Sequence, residues 1–411
     1  MAATTSKTVI NDLPLEIFVN ILKYVDGYTL GKCRRVCKKW MECISSEHIW
    51  FDACQREFKY ASYIAREKAS TDCKWYHIYR NMKLFTKLMT FDNKLRKFYE
   101  FSLHDSTHVL NIDHGILPLR DVKGIVMYDM STLMYIPVAL PEKTCLKIAN
   151  TDRITVVQLK SGILVQRSVD CPTWSSEEFF KADDFILGID VLYYHFNRDV
   201  YKVILIEEEI TPELILKCDY NIKEIKHYND AVHLFTDCGK IVTYDRGDTI
   251  VKNINCPPEW IKQIKHIRAV NDKNYLCYSR NLFQIETDKY KHLYLEFLPI
   301  TCLFFYVDNI LIATDSGEIL LYRHANQKKA IRPIFEKLAL LPDGRFATQI
   351  DVCERQKGTM IFISTFTDLY VMEFNFYPSE RETKKKFSTG KLLMYKRLLK
   401  LKERLQDPNS G

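Results

Sequence analysis

LFTDCGKIVTY, residues Leu234–Tyr244, reads as two short β-type runs hinged on Gly239. Each run is rich in apolar and β-branched residues, and glycine supplies the positive φ that a tight hairpin turn needs. Six other stretches have the same form. VLNIDHGILPL centres on Gly115, VVQLKSGILVQ on Gly162 and YYHFNRDVYKVIL on Asp199. YLCYSRNLFQI turns at Asn281, LIATDSGEILLY at Gly317 and FISTFTDLYVM at Asp368.

The seven turns recur roughly every 42 residues, the length that one four-stranded blade of a β-propeller requires. No long helical pattern interrupts residues 105 to 378, which argues against alternating βαβ units. Closure into a ring also explains how so many short strands avoid open edges. The expected fold class is therefore mainly β, a six- or seven-bladed propeller over residues 101–380. GIVMYDMSTLMYIPV (124–138) is either a second hairpin of the first blade or a blade of its own. No Trp-Asp dipeptide and no Gly-Gly doublet mark the repeats.

The chain has 411 residues and a formal net charge of +7. Residues 1–100 sum to +7, residues 381–411 to +7, and the middle to −7. Basic character at the two ends alone does not suit a chain-wide nucleic-acid surface, and nucleic acid is not an expected partner. Thirteen cysteines, scattered and never spaced CxxC, read as free thiols. The opening MAATTSKTVINDLP lacks the apolar core of a signal peptide, so a cytoplasmic or nuclear location is expected. Uncharged stretches such as Phe297 to Val307 are too short to span a bilayer, and a soluble protein is expected.

Ahead of the β region lies LPLEIFVNILKYVDGYTLGKCRRVCKKW, Leu13–Trp40. Pro14 suits a helix start, and Glu16 sits in the first turn, where the helix dipole favours an acid. Ile17, Ile21 and Val25 recur at helical spacing, with Phe18 and Leu22 beside them. Asp26-Gly27 is expected to end this helix, and Thr29 to cap a second one carrying Leu30, Cys33, Val36, Cys37 and Trp40. Ser45-Ser46-Glu47 is expected to start a third, carrying Ile49, Trp50 and Cys54. Three short amphipathic helices bury too little surface to stand comfortably alone. Their leftover apolar faces point to a partner helix surface.

Leu13-Pro14-x-Glu16-Ile17, Ile21-Leu22, Leu30, Val36-Cys37-Lys38-x-Trp40 and Ile49-Trp50 together resemble the F-box, over residues 10–56. The resemblance implies docking on a Skp-type adaptor and, through it, a cullin–RING ubiquitin ligase. Carried over by position, the contact would fall on Leu13, Pro14, Glu16, Ile17, Ile21, Leu22, Leu30, Val36, Cys37, Trp40 and Trp50. The propeller would then bind an unknown target protein as the substrate receptor of the ligase. The alternative is an F-box–adaptor scaffold that acts without cullin.

Residues 1–9 are expected to be disordered. Residues 57–100 read as linker helices, with Trp75, Tyr79 and Met82 on one stripe. Residues 381–411 read as a basic tail, partly helical, with Met394, Leu398, Leu401 and Leu405 on one face. No cofactor, metal site or catalytic group is expected. Gly27–Cys33 departs from a phosphate-binding loop, and His104 with His108 lacks the Glu and third ligand of a zinc motif. Arg246, Arg268, Arg280, Arg323 and Arg345 are the arginines that a target could meet.

Overall fold

The computed structural model describes residues 13–91, 94–101, 111–121, 124–140, 146–151, 154–167, 177–188, 190–206, 210–288, 290–294, 298–323 and 334–376. The opening residues 1–9, the pair His104 and His108, and the tail 381–411 lie outside them.

Among the described residues the N-terminal region holds five α-helices: α1 (Leu15–Leu22), α2 (Gly27–Cys33), α3 (Lys38–Ile44), α4 (Glu47–Glu67) and α5 (Trp75–Phe85). Pro14 occupies the N-cap of α1, and Glu16 lies in its first turn. The second expected helix is in fact two. The Asp26 carboxylate, not Thr29, caps α2, accepting from the Thr29 amide at 3.0 Å. Asp26-Gly27 therefore opens a helix rather than closing one. Cys37 stands in extended conformation at the N-cap of α3, so the helix breaks just before Lys38. The next helix, α4, runs on to Glu67, with non-helical backbone at Phe58.

Seven antiparallel sheets follow, and the chain is a seven-bladed β-propeller. Six hairpins read from the sequence are the central hairpins of blades 2 to 7. The first reading is off by one step. Gly115 precedes the blade's first strand, Ile116–Asp121, and the equivalent hairpin lies between Gly124–Asp129 and Met134–Leu140. GIVMYDMSTLMYIPV is thus a hairpin of blade 1. Gly115 has φ +76°, and a Cβ there would sit 2.4 Å from the Ser70 backbone. Its role is close packing against the linker.

The strand Leu95–Glu100 corrects the helical reading of residues 57–100. It pairs with Asp368–Glu373 as the outer strand of blade 7. The ring is therefore closed by the segment just before the propeller, joining the first blade's neighbour to the last.

One apolar core runs without a break from Phe18, Leu22 and Leu30 through Trp50, Tyr79 and Phe85 to Tyr306, Leu311 and Phe374. The linker helices therefore cover much of the apolar surface that the opening helices alone leave bare. Trp50 is 1% exposed, donates from its indole to Ile44 O at 2.6 Å, and meets the rings of Tyr76 and Tyr79.

Candidate functional site

The opening helices have a covered side and a bare side. On the covered side, Gly27 lies under Tyr79 of α5. Its amide donates to Glu57 Oε1 at 2.8 Å, and the Tyr79 hydroxyl donates to Glu57 Oε2 at 2.7 Å. Arg56 of α4 donates to the carbonyls of Lys23 and Val25. These bonds satisfy backbone groups at the end of α1 and the start of α2, where helices leave them orphaned.

On the bare side, Pro14, Glu16, Ile17, Ile21, Val36 and Cys37 are exposed, while Leu13 and Trp40 are half-buried. Ile17 is 48% and Val36 63% exposed. Trp40 leans on Phe18, ring centroids 4.9 Å apart. Leu22, Leu30 and Trp50 lie in the core and offer no surface. The sequence reading passed over Leu15, Tyr24, Tyr28 and Met41, all exposed here. Leu15 and Met41 are the apolar neighbours that an i, i+4 count from Ile17 overlooks.

Residues 10–56 match the family model described as F-box-like. They form an F-box-like domain. Human F-box/WD repeat-containing protein 8 is 40% identical over 45 residues, which are 11% of this chain and 8% of that protein. The match thus spans less than a tenth of the relative's length. The propeller resembles Kluyveromyces lactis Hsv2 (11% identity, TM-score 0.44, 65% of this chain and 96% of that one). It also resembles the AfRom2 CNH domain (8%, TM-score 0.46, 70% and 100%). A third likeness is BBS1N, solved in complex with ARL6DN (10%, TM-score 0.48, 69% and 97%). The propeller assignment rests on the seven sheets themselves.

The linker that follows the F-box-like domain is fastened to the propeller around a buried carboxylate. Glu354, 0% exposed, accepts from Tyr306 at 2.7 Å, Thr359 at 2.7 Å and Asn81 of α5 at 2.9 Å. Its backbone accepts from the Ser70 amide at 2.8 Å and donates to Lys68 O at 3.0 Å. Burial pushes its pKa up, and the three donors partly offset this. Arg80 adds a bond to Gln356 O at 2.6 Å.

The inner strands of the blades surround a central channel of about 460 Å³. Ile64, Glu67 and Lys68 of the linker line one end of it. There Lys68 reaches Asp351 at 3.0 Å and Ile112 O at 2.6 Å, and Tyr63 donates to His227 O at 3.3 Å. Inner-strand residues and Asn111 line the rest. Burial and the neighbouring Asp113 carboxylate raise the Glu67 pKa to about 7, against the pull of Lys226 and Lys68. Glu67 is surrounded by protein yet keeps some contact with channel water.

Of the five arginines, only Arg268 lines the channel. Arg246 stands on a turn beside Asp245, and Arg280 pairs with Asp315 at 3.3 Å, both well exposed. Arg323 pairs with Glu336 at 2.9 Å, and Arg345 with Asp368. A second recess, between blades 3 and 4, is lined by Asp183, His195, Arg198 and Asn221, with Arg198 donating to Asn221 at 3.0 Å. Among the described residues no group of three or more His, Cys, Asp or Glu is placed to hold a metal ion. No described helix is long and apolar enough to cross a membrane.

Proposed function

We propose that the chain is the target-recognition subunit of a Skp–cullin–F-box ubiquitin ligase. The F-box-like domain docks on a Skp-type adaptor through Pro14, Glu16, Ile17, Ile21, Val36 and Cys37, with Leu13 and Trp40 at the edge. The propeller holds a target protein, and the ubiquitin chemistry takes place on other subunits. The setting is the cytosol or nucleus, where the free thiols of this chain persist.

One observation carries the reading: the bare apolar side of an F-box-like domain whose other side is already fastened to the linker. Apolar clusters of this kind mark interaction sites in soluble proteins. The shared core and the Glu354 hub support the second half. They fix the propeller relative to the docking face, as presenting a target requires.

The test is co-purification of the tagged full chain with adaptor and cullin. Wild type is expected to retain both. Ile17→Glu combined with Val36→Glu changes only exposed side chains and is expected to lose both. Retention by the double variant would refute the docking face. Adaptor without cullin would move the protein to the scaffold reading.

A further inference from the structure

Residues 32–39 carry five cations, Lys32, Arg34, Arg35, Lys38 and Lys39, and no acid. The stretch spans the end of α2 and the start of α3, and Val36 and Cys37 of the docking face lie inside it. Lys32, Arg35, Lys38 and Lys39 are exposed. Among the described residues no ion pair engages Lys32, Arg34, Arg35 or Lys38. Two of them rest on rings instead. Lys32 Nζ stands 4.2 Å from the centre of the Tyr28 ring, and the Arg34 guanidinium 4.3 Å from that of Tyr76 on α5.

The surrounding acids do not cancel this charge. Residues 26–47 set the five cations against Asp26, Glu42 and Glu47. Asp26 caps α2, and Glu47 accepts from the Trp75 amide at 3.0 Å. On the linker side Arg80 faces the same Tyr76 ring at 5.9 Å and adds another cation. A wider count keeps the sign, since residues 13–91 hold fourteen Lys and Arg against eight Asp and Glu. The other half of the docking face is different. In α1 the only charged residue is Glu16.

We propose that this basic arc takes an acidic segment of the adaptor, speeding its docking and fixing its orientation. The proposal rests on the receptor reading above and names the chemistry of the surface that covers the docking face. A partner that covers Val36 and Cys37 also comes up against Arg35 and Lys38, their neighbours in the chain. Covering a charge without an opposite one is costly, so carboxylates belong on that part of the partner. Because the arc lies on the α2–α3 half and not on α1, those carboxylates align the adaptor in one direction. Exposed rim charges act chiefly on the rate of encounter, while the apolar contact sets the lifetime of the complex.

The test measures association and dissociation of the full chain with a purified Skp-type adaptor by surface plasmon resonance, from about 50 to about 500 mM NaCl. Lys32→Gln, Arg35→Gln and Lys38→Gln together remove three exposed charges. At low salt this variant is expected to associate about tenfold more slowly, with dissociation changed less than about threefold. Rising salt is expected to slow the wild-type chain towards the variant. Lys160→Gln, Lys181→Gln and Lys262→Gln, all at exposed propeller positions, remove the same charge elsewhere and are expected to match wild type. Thermal midpoints equal to wild type in both triple variants separate lost steering from lost fold. An unchanged association rate in the first variant, or an equal loss in the second, would overturn the proposal. So would capture of phosphatidylserine vesicles that the first variant loses while its adaptor association keeps the wild-type rate. A wild-type chain that binds no adaptor at any salt would strike the receptor reading itself, and this proposal with it.

Discussion

The side-chain amide of Asn81, on the linker helix α5, donates to the carboxylate of Glu354, on the inner strand of blade 7, across 2.9 Å. The same amide nitrogen also donates to Arg355 O at 2.9 Å, and both side chains are 0% exposed. The linker and the propeller therefore share a buried polar network as well as an apolar core. Asn81→Ala removes a donor and leaves a buried carboxylate short of one bond, which is expected to cost about 1–3 kcal/mol. Urea unfolding is expected to show this loss. A midpoint equal to wild type would deny the network its structural weight.

Gly27 is needed for space rather than for backbone freedom. A Cβ at this position would lie 2.1 Å from the Tyr79 ring. Gly27→Ala must displace that ring and stretch the Tyr79–Glu57 hydrogen bond, at a cost of about 1–3 kcal/mol. Thermal unfolding checks it. Gly31, with nothing within 4 Å of an added Cβ, is the matched control, and alanine there is expected to be neutral or slightly stabilising.

Blade 7 needs its outer strand from residues 95–100. Phe98 on that strand meets Phe362, ring centroids 6.0 Å apart, and Tyr128 at 5.6 Å. A fragment spanning 101–376 exposes the edge Asp368–Glu373 and those rings, whereas 94–376 covers them. The shorter fragment is expected to unfold at lower denaturant and to aggregate more. Equal behaviour of the two would contradict the closure.

Glu67 gives the linker a pH dependence. Its folded pKa lies near 7, raised by burial and by Asp113, against an ordinary value of 4.5. Between these values the folded state keeps a proton that the unfolded state has released, so stability falls as pH rises from about 4.5 to 7 and then levels. Allowing for screening by channel water, the span is about 2 kcal/mol. Burial holds His77 and His233 near pKa 4, which adds stability as pH rises through the same range. The readout is therefore the difference between wild type and Glu67→Gln in denaturation midpoints from pH 4.5 to 8. A difference that does not change with pH would contradict the assignment.

The propeller was legible because its turns need backbone that few residues adopt. Gly162, Gly239 and Gly317 all have positive φ at central hairpins. Gly115 misled for the same reason, since its positive φ serves a close approach to Ser70 and not a hairpin. The strand Leu95–Glu100 was hidden because an outer strand is half wet. Lys97 and Arg96 sit on it beside Phe98 and Tyr99, and no clean alternation survives. The interior places of Leu22, Leu30 and Trp50 were equally hidden, since a helical stripe does not say which side a later helix will cover. The channel left no local signal. Its charged residues come from five of the blades, at most two from each, so only ring closure sets Arg268 apart from Arg246 or Arg280.

Amide hydrogen exchange of the full chain, alone and with a Skp-type adaptor, tests the central claim most directly. Binding is expected to slow exchange in residues 14–24 and 34–41 while leaving the propeller hairpins at Gly162, Gly239 and Gly317 unchanged. Protection confined to the propeller, or none in those two helical segments, would contradict it.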